Sequence, residues 1–204
     1  MTATPPPDVL PATPTAPVVD EPEDTHPDVE GVVVSRTAIA GKIKELAAAI
    51  SRDYAGKDVL LVGVLKGAVM VMADLSRELD LRVEMDFMAV SSYGSSTSSS
   101  GVVRILKDLD RDVTGQHVIV VEDIIDSGLT LSWLLRNLHS RNPASVEVVA
   151  LLRKPDALKV EVPVRYVGFD IPNEFVVGYG LDYAGHYRTL RFVGRLRPEV
   201  IAAG

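Results

Sequence analysis

An α/β fold, with a mostly parallel twisted sheet flanked by helices, is what this 204-residue chain predicts. Short apolar runs of strand length alternate with longer stretches whose apolar residues recur at helical spacing. Such alternation implies right-handed crossovers between parallel strands. One strand-to-helix turn also carries three carboxylates, a glycine and two hydroxyls, at the place where open α/β sheets put their ligand sites.

The elements follow in order. Ser35 can cap a helix from about Arg36 to Tyr54, with Ile39, Ile43, Leu46 and Ile50 on one face, and Gly56 ends it. Asp58 to Val64 reads as a buried strand. Gly67 to Leu79 reads as a helix, with Val71, Leu75 and Leu79 aligned. Val83 to Val90 is a strand. Ser91 to Ser100 is a low-complexity loop of seven Ser, one Thr, one Gly and one Tyr, and Val102 to Leu106 returns as a strand. His117 to Val121 is a buried strand followed by a helix over Leu131 to Leu138. Val146 to Leu152 is a further strand, trailed by short apolar segments around Val167, Val176 and Phe192.

Residues 1–30 read differently. They hold eight of the 13 prolines and seven acids without a Lys or Arg, matching the whole net charge of −7. Such a segment cannot bury enough apolar surface to offset the entropy of ordering, and a disordered tail is expected there. The folded domain is expected over residues 31–204. Its charges balance, so no basic face suggests nucleic acid as a partner. Cys is absent, which removes disulfides and thiolate metal sites and suits the cytoplasm. No apolar run nears the roughly 20 residues of a membrane span.

Phosphate and dinucleotide fingerprints are missing, as is the Gly-x-Ser-x-Gly elbow. Asp108 to Asp112 is no calcium loop, because Val113 and Ile119 occupy its glycine and glutamate positions. What remains is Val120-Val121-Glu122-Asp123-Ile124-Ile125-Asp126-Ser127-Gly128-Leu129-Thr130. Three acids beside a helix N-terminus repel one another and any phosphate, unless hydroxyls, a metal or a base shares the site. The plain alternative is a charged loop in which Asp126 or Ser127 caps the helix.

That string resembles the phosphoribosyl-diphosphate (PRPP) motif of type I phosphoribosyltransferases. Three further segments resemble the family's hypoxanthine-guanine branch: Leu65-Lys66-Gly67, Ser92-Tyr93, and Phe175 to Tyr183 with Arg188 behind it and Lys154 upstream. The resemblance spans roughly Val32 to Leu196. It implies a hood of terminal segments over the sheet, and transfer of a phosphoribosyl group from PRPP to hypoxanthine or guanine, giving IMP or GMP and pyrophosphate.

It also implies roles. Glu122 and Asp123 would hold the ribose hydroxyls, partly through Mg²⁺, and Asp182 would hold a second Mg²⁺ or a water near purine position 2. Asp126 would exchange a proton with the purine ring nitrogen N7. Ser127, Gly128, Leu129 and Thr130 would cradle the 5′-phosphate. Leu65, Lys66 and Gly67, with a cis peptide between the first two, would bind pyrophosphate together with Arg188. Ser92 and Tyr93 would open a lid that excludes water. Lys154 would donate to the purine O6, which disfavours adenine with its amino donor there. Phe175 would stack on the base, and Val176 and Leu181 would contribute backbone groups. A homodimer or homotetramer is implied as well. Two rivals stay open: a PRPP-sensing regulator of the same fold, and a phosphoribosyltransferase preferring another base such as xanthine.

Overall fold

The computed structural model describes residues 13–14, 24–92 and 103–203. Among the described residues there are ten strands, arranged in two sheets, and four α-helices. The strands are β1 (Thr13–Pro14), β2 (Val29–Val34), β3 (Val59–Leu65), β4 (Val83–Ser92), β5 (Val103–Lys107), β6 (His117–Ile125), β7 (Ser145–Arg153), β8 (Tyr166–Asp170), β9 (Val176–Val177) and β10 (Val193–Leu196). The helices are α1 (Arg36–Asp53), α2 (Val69–Glu78), α3 (Leu129–His139) and α4 (Pro198–Ala202).

The main sheet runs β1-β8-β7-β6-β3-β4-β5, parallel except for the antiparallel β4–β5 pair. A strand buried on both faces is apolar over its buried stretch, as β3 is throughout, β6 over Val118–Val121 and β7 over Val148–Leu152. Alternation then splits their side chains. Leu61, Ile119, Val121, Val149 and Leu151 pack with the buried faces of α1 and α2. Leu60, Val62, Val118, Val120, Val148 and Ala150 pack with Leu131, Leu134, Leu135 and Leu138 of α3. The helix after β3 thus covers one face and the helix after β6 the other. The C-terminal ends of these adjacent strands are the switch point of the sheet.

The second sheet, β2-β10-β9, is antiparallel and forms the hood. Val29, Val177, Phe192 and Leu196 make its own small core. The expected boundary at residue 30 falls inside β2. Asp24 is already buried, and its carboxylate accepts from the Arg36 backbone N–H (2.9 Å) and Nε (2.6 Å). An acid so placed satisfies an otherwise unpaired donor in the first turn of α1. Thr13–Pro14 adds a short parallel strand to β8, so the Pro-rich segment is not wholly without structure. Its other residues before Asp24 lie outside the described ones.

Helix α1 begins as expected, with Ser35 Oγ accepting from Ala38 N–H. Helix α2 begins two residues late, because Gly67 and Ala68 belong to the preceding turn. Strand β6 is four residues longer than expected: Glu122, Ile124 and Ile125 continue the ladder with Ala150, Leu152 and Arg153 of β7. No described helix is long and apolar enough to cross a membrane.

Candidate active site

The extension of β6 decides how its acids are placed. Consecutive strand residues point to opposite faces. Glu122 continues the row of Val118 and Val120 toward α3, and Asp123 continues the row of Ile119 and Val121 toward α2. The two carboxylates thus line different cavities. Glu122 lines one of about 160 Å³ with Val64, Ile125, Ser127, Gly128 and Thr130. Asp123 lines one of about 340 Å³ with Lys66, Gly67, Lys154, Phe175, Val176, Leu181, Asp182 and Arg188. Ile124 and Asp126 border both and form the seam between them.

The smaller cavity sits at the start of α3. Its N-cap is Gly128, with φ of 76°, and no side chain caps the helix. The capping role weighed for Asp126 and Ser127 is therefore overturned. The first N–H groups of α3 stay available, and a glycine at positive φ costs least there. A Cβ on Gly128 would lie 2.7 Å from the Val160 carbonyl oxygen. Ser127 O accepts from Lys159 N–H (3.0 Å) and Val160 N–H (3.3 Å), which fixes the loop.

The larger cavity is walled by the backbones of Gly67 and Gly180 and the Asp123 carboxylate in close approach. A Cβ on Gly67 would fall 1.7 Å from Asp123 Oδ2, and one on Gly180 would fall 2.0 Å from the Gly67 carbonyl oxygen. The Leu65–Lys66 peptide is cis. Lys154 is buried, with Nζ 3.6 Å from Asp126 Oδ2. Phe175 keeps half its surface exposed, so it is no core residue. Arg188 is not a free fork. Its Nη2 lies 2.5 Å from Asp182 Oδ1, and its Nη1 donates to Gly180 O. The other Asp182 oxygen accepts from Gly185 N–H (2.8 Å).

Burial disfavours ionised carboxylates here. It raises Glu122 well above the ordinary value, with the Asp123 charge adding to the effect. It raises Asp123 to about 6, opposed by the Ile124 N–H that Oδ1 accepts and by Arg188. Among the described residues no group donates to the Glu122 carboxyl, and no three acidic or histidine side chains cluster as a ready-made metal cage.

Leu65 and Leu129 line neither cavity. Ser92 ends β4, while Tyr93 and the serine-rich loop lie outside the described residues. Ile124, Val64 and Gly180 were not singled out in the sequence. The Phe-Val-Val-Gly-Tyr-Gly run carried a signal for Gly180, since two glycines flanking a tyrosine at positive φ mark tight backbone packing.

Residues 33–184 match the phosphoribosyl transferase domain, and the chain belongs to that family of transferases. Over 179 residues it is 58% identical to the hypoxanthine-guanine phosphoribosyltransferase of Mycobacterium tuberculosis, covering 85% of this chain and 89% of that one. It is 50% identical over 173 residues to the Bacillus subtilis enzyme of the same name, covering 85% and 96%. A crystal structure of a Staphylococcus aureus hypoxanthine phosphoribosyltransferase superposes with a TM-score of 0.82 at 44% identity, covering 85% and 94%.

Proposed function

We propose that the chain transfers the 5-phosphoribosyl group of PRPP to hypoxanthine or guanine, releasing pyrophosphate, as a purine-salvage enzyme. The observation that carries this is the pair of cavities joined at Asp126: one built for a phosphate, the other for a flat base beside a buried cation.

Ser127, Gly128, Thr130 and the open end of α3 suit the 5′-phosphate, since hydroxyls and helix N–H groups donate to an anion. Leu129 enters only through the backbone of that turn. Glu122 and Asp123 approach the seam from opposite faces, where a ribose spanning both cavities would present its hydroxyls; ionised carboxylates accept from them. They also put negative charge near a ribosyl centre that becomes cationic in the transition state. Asp126 borders both cavities and lies beside Lys154, the position from which a carboxylate can take the proton a purine ring loses on bonding to the sugar. Lys154 donates to O6, Phe175 stacks on the ring, and Val176 and Leu181 bound the pocket. Lys66, Gly67 and Leu65, through the loop backbone, hold pyrophosphate, joined by Arg188 once it shares or releases Asp182.

Mg²⁺ fits this donor set. Asp123 and Asp182 line the larger cavity and Glu122 the smaller one beyond the seam, all hard oxygen ligands, and the buried Glu122 and Asp123, with raised proton affinity, gain from a nearby cation. With too few protein ligands for a closed cage, the ion would complete its shell with diphosphate oxygens, hydroxyls and water, and when bound would neutralise the leaving pyrophosphate. A cytoplasmic homodimer or homotetramer is the setting proposed.

The test is nucleotide formation from PRPP, Mg²⁺ and each of hypoxanthine, guanine, xanthine and adenine. IMP and GMP should form fastest and AMP least. Absence of any nucleotide would leave a PRPP-sensing regulator as the reading.

A further inference from the structure

We infer that Tyr183 is a positioning residue for the purine pocket, tying the stacking ring of Phe175 to the C-terminal helix α4. The inference rests on the proposed function. Phe175 is half exposed, and an exposed ring by itself holds no fixed orientation. Its edge contact is Tyr183, with centroids 5.7 Å apart and planes at 84°. Tyr183 is in turn fixed at both ends. Its backbone pairs with His186 across a tight turn, the two residues exchanging N–H···O bonds of 3.3 and 2.9 Å. Its hydroxyl donates to the Ile201 carbonyl at 2.9 Å, one of the last-turn carbonyls that α4 cannot satisfy itself. Val200 of α4 packs on the same hood cluster as Tyr183. Asp182 and Tyr183 are neighbours with divided tasks, one lining the cavity and the other bracing its aromatic wall.

The test is steady-state kinetics with guanine and PRPP on the full chain and on Tyr183→Phe, Tyr183→Leu, Phe175→Leu and the Phe175→Leu/Tyr183→Leu double variant. A lost edge-to-face contact corresponds to roughly a two- to tenfold effect. Tyr183→Leu should raise KM for guanine about fivefold and leave KM for PRPP within about twofold. Tyr183→Phe, which keeps the ring but loses the tie to α4, should raise it about twofold. In the Phe175→Leu background, Tyr183→Leu should add almost nothing, because the two act as one unit. The inference is overturned if both KM values rise alike, if the effect persists without Phe175, or if Tyr183→Phe matches the parent chain. Should Tyr183→Leu not fold, Tyr183→Phe decides. A parent chain that makes no nucleotide from any purine defeats the proposed function instead, and that result is read before any variant.

Discussion

Asp123 sits where its charge costs the ligand-free fold, and replacing it with asparagine should stabilise that fold. Folding raises this carboxyl from 3.8 to about 6, with burial as the main cause. Such a rise disfavours the folded state by about 3 kcal/mol once the group is ionised. The cost is complete above pH about 6, fades as pH falls from 6 toward 3.8, and vanishes below that. Asparagine keeps an oxygen for the Ile124 N–H, now accepted at 2.8 Å, but buries an amide donor, which takes back about 1 kcal/mol. The net gain at pH 8 is then about 2 kcal/mol, or roughly 4–8 °C in melting temperature. Calorimetry in magnesium-free buffer measures it. At pH 5 the ionisation cost is about half as large, so the net gain should shrink by about two-thirds. A variant no more stable than the parent at pH 8, or equally stabilised at both pH values, would refute the argument. Adding PRPP with Mg²⁺ should reverse the order, stabilising the parent chain far more.

Three other outcomes are expected. Asp126→Asn should lower kcat about 100-fold or more while PRPP affinity changes only a few-fold, and equal losses in a kinetic and binding comparison would point to a structural role. Lys154→Met should raise KM for hypoxanthine by roughly 5- to 150-fold with little change for PRPP, the effect of removing one buried donor. Gly67→Ala places a methyl group 1.7 Å from Asp123 Oδ2, so turnover should fall at least about tenfold even where circular dichroism shows an intact fold.

The central sheet was legible because β3 and the middles of β6 and β7 are buried on both faces and read as apolar runs. Glu122 and Asp123 masked the true end of β6. Polarity suggests a turn, yet the ladder with β7 continues beneath it, and a ladder is non-local. The hood was hard to read for the same reason: β9 has two residues and β10 four, and the pairing of β10 with β2 joins segments over 150 residues apart. The motif residues themselves were legible, but their division between two cavities was not. That follows from strand alternation and required knowing that both acids lie on a strand. The Arg188–Asp182 pair, two residues each expected to face a ligand, also shows only in three dimensions.

The seam at Ile124 and Asp126 has a consequence for inhibitors. A molecule confined to either cavity, about 160 or 340 Å³, gains only that half and loses its translational freedom in doing so. Joining two such fragments across the seam makes the second contact intramolecular, at an effective concentration set by the linker. Tethered fragments should therefore surpass either parent by orders of magnitude, provided the tether threads past the Asp126 carboxylate.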